Sequence, residues 1–494
     1  MRALIAVTIL SISAAASAQP SPVPPTDLIL RPAISPIPAL KYRFAADRKE
    51  LSGGNAAIFY HRAILMIREA QASLDANAEP GAARRPNAEA EITKWIACPL
   101  AEIPREEARK RLAPFESALH EAELGAIRRD CDWLFEDRTE GIVLPIPEIQ
   151  ATRSISRLIA VRARIAVLDG KTDDAVHWIQ VGLALAKHVA EGPTIIQGLV
   201  GVAIMSSLAR PLQDLIEAPG TPCLYWALAA LPRPWIDMAP ALSWERSVLE
   251  REVPAIREAD GPAWSLGRAR QVSDELLRKM TLYGDNSVFV LKGEGTALAP
   301  TVDQLAPRLG LAAMVAKAYP GARARVIAAG RTEAEVDSMP TLQVVLIDGY
   351  REVRRIDDDN FKWLCLPYWQ SYGRGDESFP RTIEEKLSNP VVTLYSMLYP
   401  AMNSARVAQV RVDRQYAAFQ AIEAIRLYAG THGGQLPPNL DAITEAPVPI
   451  DPATGKPFEY AMQQGSAVLS TPMIPGAPAI PNVFSIQATL KPAR

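Results

Sequence analysis

The hydrophobic positions of this chain recur mostly at the three- and four-residue spacing of amphipathic helices. The clearest stretch lies within residues 149–230, where one apolar face covers residues 155–168 and a second covers residues 175–186. Asp169-Gly170-Lys171 separates the two faces. Because apolar side chains three and four residues apart lie on one side of a helix, the pattern predicts a helical hairpin with a tight turn.

A third helix is predicted directly after this hairpin, from Thr194 to Leu208. It carries no charged residue, and Gly192-Pro193 separates it from the helix before it. A membrane-spanning helix needs about twenty apolar residues, and this stretch is shorter. We therefore expect a fully buried central helix here.

The small residues of the hairpin resemble those of a tetratricopeptide repeat, in which small side chains stand where the two helices cross and glycine stands in the turn. The matching residues are Ala163, Gly170, Ala175 and Gly182. The aromatic position and the terminal proline of the motif fall on Ala166 and Lys187, and no second copy follows. The sequence thus predicts a mainly α protein whose residues 45–398 form a scaffold of helical hairpins, tetratricopeptide-like in kind.

The C-terminal part of the chain has a different pattern. Residues 407–428 show one long amphipathic helix, which Gly433-Gly434 should end, because glycine adopts the required backbone conformation at little steric cost. Two short strands are predicted at residues 458–461 and 467–470, on either side of a turn. We expect a small α+β module over residues 399–472.

Both ends of the chain have distinctive compositions. Residues 1–18 join a basic start to a short apolar stretch and end in Ala16-Ser17-Ala18, the pattern of a cleaved signal peptide. Residues 19–44 are proline-rich and are predicted to be a linker, and residues 473–494 a flexible tail. The mature protein should be periplasmic or extracellular, without a transmembrane span.

Composition narrows the classes of partner. Hydrophobic residues make up 48% of the 494 residues, which is sufficient for a sizeable core. The 53 lysine and arginine residues are balanced by 55 aspartate and glutamate residues. This balance argues against nucleic-acid binding, which calls for a clustered basic surface.

Four cysteines are far apart in the sequence, and export would permit disulfides. Cys98 and Cys131 flank one helical stretch and form the pair that we expect to be bonded. Four buried thiols are the alternative. No histidine accompanies these cysteines at the spacing of a zinc site, and we expect no metal.

One group of residues is a candidate binding groove for an anionic or peptide ligand. Three arginines are spaced by four and seven residues along the first hairpin helix, and aromatic residues interleave with the prolines that follow. The groove would comprise Arg153, Arg157, Arg164, Tyr225, Trp226, Trp235 and Trp244. The alternative is a solvated helix face beside a core tryptophan cluster.

No recognisable catalytic or cofactor motif occurs, so an enzymatic role stays uncertain, and we lean against one and expect no cofactor. Asp357-Asp358-Asp359-Asn360 is the densest run of carboxylates, and it is interpreted as a capped helix N-terminus rather than a cation site. His177 and His188 are interpreted as structural residues.

Two resemblances to known proteins add to these predictions. The C-terminal region, with His432-Gly433-Gly434 and Asp451-Pro452 leading to Gly455 and Tyr460, resembles the globular tail of type II secretion pseudopilins. That resemblance implies a shared fold without the pilus-assembly helix. The whole mature chain, including Cys131-Asp132-Trp133, resembles a family of large exported bacterial α-helical proteins of uncharacterised function, and this implies no activity.

Three functions are compatible with these patterns. The first is a non-catalytic envelope protein that acts as a scaffold for a protein or peptide partner. The second is an accessory component of a secretion or pilus-like system. The third is a hydrolase with an acidic site between helices.

Overall fold

A computed structural model describes residues 26–76, 88–134, 146–283, 300–372, 374, 382, 385, 387–463, 466–471 and 483–488. Within them the protein is mainly α-helical, as its hydrophobic pattern predicts. The predicted signal peptide (1–18) and the first residues of the predicted linker lie outside the described residues, and so does much of the predicted tail.

The described α-helices follow one another along the chain. They are α1 (Ala56–Ala76), α2 (Ala88–Ala97), α3 (Arg105–Leu112), α4 (Glu116–Ala126), α5 (Pro147–Leu168), α6 (Thr172–Ala190), α7 (Ile195–Ser207), α8 (Ala209–Glu217), α9 (Tyr225–Ala229), α10 (Ala239–Glu245), α11 (Val248–Glu252), α12 (Ala255–Glu258), α13 (Leu266–Tyr283), α14 (Pro300–Ala328), α15 (Glu333–Ser338), α16 (Thr341–Leu364), α17 (Tyr368–Ser371) and α18 (Pro390–Thr431).

Six short strands complete the described elements. They are β1 (Thr26–Leu30), β2 (Ser52–Asn55), β3 (Arg128–Asp130), β4 (Glu459–Gln463), β5 (Ser466–Ser470) and β6 (Val483–Ala488). Strands β2 and β3 form a separate parallel pair, and the others form one sheet in the order β1-β6-β5-β4. The β4–β5 hairpin is antiparallel and confirms the strands predicted there.

The sheet also corrects two predictions at the chain ends. Strand β1 lies in the predicted linker and pairs in parallel with β6, which lies in the predicted flexible tail. Leu28 and Leu30 of β1 are buried. These segments have little local pattern, and they acquire structure because each supplies the backbone partner that the other lacks.

The chain divides into two compact units that differ from the predicted domains. Unit 1 comprises residues 1–134, 145–241 and 405–494, and unit 2 comprises residues 135–144 and 242–404. The C-terminal segment therefore belongs to the same unit as the N-terminal helices, and the middle of the sequence forms the other unit.

Unit 1 contains the predicted hairpin, formed by α5 and α6 with Gly170 at a positive φ of 69° in the turn. Helix α7 packs on α6 in turn. The helices approach closely at Gly182, where an added Cβ would lie 2.7 Å from the Leu208 side chain. On the α5 side, the same Cβ would lie 3.2 Å from the Ile159 side chain, so Gly182 stands at the helix crossing where a small residue was predicted.

The run from Ile195 to Glu217, which includes α7 and α8, is the one described stretch that is long and apolar enough to cross a membrane. Its mean hydropathy is 1.5, and 67% of its most apolar window is buried inside the protein. A core helix has the same properties, and the burial agrees with the predicted central helix.

Helix α18 is longer and more deeply buried than predicted. Every residue from Tyr416 to Leu427 is buried, so this helix has no solvent-facing side there. The chain that follows β1 crosses its end closely, because a Cβ on Gly430 would lie 2.4 Å from the carbonyl oxygen of Ala33. A core helix of unit 1 thus replaces the amphipathic helix that was expected.

Arg426 on α18 binds two distant segments of unit 1. Its guanidinium donates to the carbonyl oxygens of Arg31, Thr221 and Pro222, and to Glu423 at 3.0 Å. Glu423 in turn accepts a hydrogen bond from the Leu224 backbone N–H. Both charged side chains are almost fully inaccessible, at 1% and 0% exposure.

Two further buried ion pairs fix α5 and α18. Arg164 pairs with Asp214 at 2.5 Å and donates to backbone carbonyls at the end of α2. Arg414 makes two parallel hydrogen bonds, of 2.9 and 2.6 Å, to Asp451. Because planar guanidinium and carboxylate groups match in this geometry, the second pair fixes the turn before β4 against α18.

In unit 2, α14 and α16 make the most extensive helix packing. Asn389 caps the start of α18 and donates to the Val345 carbonyl oxygen at 2.9 Å. It can do so because Gly349 has no side chain, and a Cβ there would meet the Asn389 amide at 2.1 Å. Thr332 and Glu335 form a capping box at the start of α15.

We expect Arg426→Ala to destabilise unit 1 by about 3–5 kcal/mol, because it leaves Glu423 buried without its cation. Denaturant unfolding followed by circular dichroism would measure this. Lys171→Ala, which removes an exposed ion pair to Asp174, is the control and should change stability by less than about 0.5 kcal/mol. An Arg426 variant as stable as that control would contradict the structural role of the buried pair.

Candidate functional site

The structure does not join the seven predicted groove residues into one surface. Arg164 is fully buried in the ion pair with Asp214, and it cannot meet a ligand. Arg153 is exposed on α5, and Arg157, half-buried, donates to Ser154 at 2.9 Å. The prediction for Arg164 is wrong because α5 is packed on more than one side, so spacing along the helix did not reveal which arginine faces solvent.

Two of the predicted aromatic residues are also not part of a shared groove. Tyr225 is buried and donates its hydroxyl to the Pro447 carbonyl oxygen. Trp244 lies in unit 2, whereas the other predicted groove residues lie in unit 1. Its ring is covered by the Arg251 guanidinium.

Trp226 and Trp235 remain available to solvent, each half-buried in unit 1. The indole N–H of Trp235 donates to the Leu183 carbonyl oxygen at 3.0 Å, and the Lys187 ammonium lies 5.5 Å from its ring centroid. Arg233 is exposed and donates to the Gln420 amide oxygen. We call Trp226, Arg233, Trp235 and Lys187 the tryptophan surface.

Asp413 on α18 lies beneath residues 233–238, which carry part of the tryptophan surface. It is 7% exposed, and burial raises the pKa of its carboxyl to about 7. That rise in the pKa is opposed by the nearby Arg233 guanidinium, the Trp235 backbone N–H and the Gln409 amide. The Asp237 carboxylate adds to the rise. A carboxyl whose pKa is strongly perturbed by burial is a candidate functional residue.

Asp413 was not predicted as a site residue, although the sequence carries a signal for it. Val410 and Ala417 belong to the apolar stripe predicted for this helix, and Asp413 lies three residues after the first and four before the second. A charged residue on an apolar face is either paired or titrates abnormally when it is buried.

The expected disulfide is not formed, and Cys98 and Cys131 are free thiols. Cys98 follows α2 and points its thiol to the Trp95 carbonyl oxygen at 3.9 Å. Cys131 follows β3, and burial with the nearby Glu191 carboxylate raises the pKa of its thiol far above the usual range. Each thiol is thus packed in its own surroundings, and Cys131 is a poor nucleophile.

His188 belongs to a buried aromatic cluster in unit 1. Its Nδ1 lies 2.8 Å from the Tyr60 hydroxyl, and its carbonyl oxygen accepts the Trp133 indole N–H at 3.0 Å. Burial lowers the pKa of His188 to about 4, so the ring is neutral at physiological pH. A neutral, packed histidine matches the structural role predicted for it.

The acidic run at residues 357–360 is not the helix N-terminus that was predicted, because it lies in the second half of α16. Asp357 is buried and accepts hydrogen bonds from Arg246 at 3.0 Å and Tyr395 at 2.9 Å. Asp358 is exposed, and its carboxylate also pairs with Arg246. Asp357 and Asp358 thus share the Arg246 guanidinium, and both carboxylates are engaged in ion pairs.

Among the described residues, no group of three histidine, cysteine, aspartate or glutamate side chains is arranged to hold a metal ion. Unit 2 has an open groove of about 620 Å³ between α13 and α14. Its Asp274 carboxylate lies 3.2 Å from Arg308 on the facing helix. The groove does not include the acidic run.

No protein-family model matches the chain, and no curated protein or solved structure matches it significantly.

We expect acid to destabilise the protein through His188. Its pKa is about 4 in the folded state and 6.5 ordinarily, so between these values the unfolded chain binds a proton that the folded protein does not. Stability from this group is complete above pH 6.5 and falls by about 3 kcal/mol as the pH drops to 4. His188→Gln should lack that loss.

Thermal unfolding of both proteins from pH 7 to pH 4 would measure the difference. His120→Gln changes an exposed histidine and serves as the control. If the wild type and the His188 variant differ by the same amount at every pH, His188 is not a neutral buried group.

Proposed function

We propose that the protein is an exported, non-catalytic scaffold of the cell envelope that binds a protein or peptide partner through the tryptophan surface. The observation that carries this proposal is the half-exposed Trp235 with the exposed Lys187 ammonium 5.5 Å from its ring centroid, in the same unit as the half-exposed Trp226 and the exposed Arg233. Tryptophan and arginine are the residues that most often dominate the energy of protein interfaces.

The surface is rigidly supported. The Trp235 indole is fixed by its hydrogen bond to Leu183, and Trp226 packs edge-on against Tyr225 at a centroid distance of 4.9 Å. A binding surface that is already ordered loses little conformational entropy when a partner binds, so more of the contact energy appears as affinity.

The chemistry of the surface favours an extended peptide that carries acidic and proline residues. Lys187 and Arg233 supply positive charge, and Pro232 and Pro234 next to Arg233 are exposed. Aromatic side chains bind proline-rich segments because such segments are already extended and offer flat apolar faces. Carboxylates of the partner would pair with the two cations.

The signal-peptide pattern of residues 1–18 supports export, and with it a partner in the cell envelope. The helical hairpin of α5 and α6 resembles the tetratricopeptide kind, whose relatives present peptide-binding surfaces. The hydrolase hypothesis receives no support from the acidic run, because Asp357 and Asp358 are both engaged in ion pairs with Arg246.

A second candidate is an accessory role in a secretion or pilus-like system. It is favoured by the order of elements at the C-terminus, where the long helix α18 precedes the Asp451 turn and the β4–β5 hairpin, as in the pseudopilin tails it resembles. Strand β4 is an edge of the sheet, and Met462 on it is 44% exposed. Such an edge can pair with a strand of another protein.

We expect the double variant Trp226→Ala/Trp235→Ala to lose its partner. In-cell cross-linking and purification of the mature protein, with partners read by mass spectrometry, would measure this. Loss of one hot-spot tryptophan costs at least about 2 kcal/mol, or about thirtyfold in affinity. Trp369→Ala, which changes an exposed tryptophan of unit 2, is the matched control and should retain the partner.

Lys187→Glu provides a test that leaves the aromatic rings in place. Because Lys187 is exposed, charge reversal should preserve the fold and weaken the binding of an acidic partner. A partner recovered equally with all of these variants would show that it binds elsewhere.

The accessory role predicts a different result. Met462→Glu places a charge on the exposed edge strand and should abolish association with secretion components, because a charged edge disfavours strand pairing. Deletion of the C-terminal segment would not be informative, since α18 forms the core of unit 1. Unchanged association with secretion components in the Met462 variant would remove support for this role.

A further inference from the structure

Residues 233–238 are joined to α18 by polar contacts at three positions, one of which is the Trp235 backbone N–H that donates to the Asp413 carboxyl. Arg233 donates to Gln420, and the Met238 backbone N–H donates to the Gln409 amide oxygen at 3.1 Å. Asp413 lies between these two positions on the helix, one turn after Gln409 and two turns before Gln420. One face of α18 thus receives the whole segment.

Apolar contacts of the segment surround this polar row. Ile236 and Met238 are each 1% exposed, and the Met238 sulfur lies where a Cβ on Gly198 of α7 would be, at 2.4 Å. Asp413 itself is 7% exposed, so a charge that appears on its carboxyl is largely shielded from water by the segment that covers it. An ionised carboxylate in such a position gains free energy if the covering segment opens and admits water.

The charged groups around Asp413 do not remove the tendency of its ionised carboxylate to favour opening of the segment. Arg233 favours its ionised form, and Asp237, from the same segment, disfavours it. On α18, Arg414 is already engaged by Asp451, and Lys187 of α6 lies over the Trp235 ring. Burial remains the largest influence, so the carboxyl is protonated at acidic pH and ionised above neutrality.

We propose that Asp413 is a pH-sensitive switch that keeps residues 233–238 closed on α18 at acidic pH and lets them open above neutrality. The segment carries Arg233 and Trp235, so the switch regulates the tryptophan surface, and this regulatory meaning rests on the function proposed above. The opening itself does not depend on any partner.

Hydrogen exchange of residues 233–238 in the full-length protein, without a partner, tests the switch. The pKa of Asp413 is about 7 in the closed form and near 3.8 when it is exposed, so opening should become about tenfold more favourable between pH 6 and pH 8. After correction for intrinsic exchange, we expect the wild-type protection factor to fall by about that factor.

Asp413→Asn has nearly the same shape and cannot ionise, so its protection should change less than twofold over the same range. Asp441→Asn, an exposed change in unit 1, should behave as the wild type. Wild-type protection that is the same at both pH values overturns the switch, whether or not the Asp413 variant folds. A pH effect that persists in Asp413→Asn overturns it as well.

The two proposals can fail separately. Suppose that hydrogen exchange of residues 233–238 depends on pH through Asp413, and that Trp226→Ala/Trp235→Ala retains its partner. This result would establish the switch and refute the binding surface. If hydrogen exchange is independent of pH and the double variant loses its partner, the switch is refuted and the binding surface remains supported.

Discussion

The structure of unit 1 depends on the part of α18 from Tyr416 to Leu427, which is buried on all of its sides. A helix that is buried all round is usually apolar, but this one includes Glu423 and Arg426 among its inaccessible residues. A buried charge is tolerated when every polar atom finds a partner. Arg426 meets that requirement with carbonyl groups of residues 31 and 221–222, and so the same interaction that satisfies the charge brings both segments to one helix.

This requirement explains the arrangement of the chain. The segment around residue 31 leads out of β1, and β1 pairs with β6 near the end of the described sequence. Both ends of the sequence therefore belong to unit 1, and residues 242–404 form unit 2 between them in sequence. The compact units follow from pairings over hundreds of residues, which a boundary drawn from local composition cannot detect.

Local patterns predicted what local interactions determine. The α5–α6 hairpin and the β4–β5 hairpin each depend on residues close in sequence, and both were predicted. Whether an individual arginine is exposed depends on how many sides of its helix are covered by other elements. Spacing along the helix does not show this, which is why Arg164 was wrongly predicted to line an exposed groove. Asp413 shows the same limitation, since its position on an apolar stripe was visible but the segment that covers it was not.

Two buried groups of unit 1 respond to pH in opposite directions. As the pH rises from about 4 to 6.5, loss of the proton from unfolded His188 increases stability, because only the unfolded chain held it. Over the same range Asp413 decreases stability, because the folded protein keeps a proton that the unfolded chain has released. The two effects are of similar size, so a nearly flat stability profile of the wild type would conceal both. A local measurement at residues 233–238 separates them, because the His188 cluster involves Tyr60 and Trp133 and no residue of that segment.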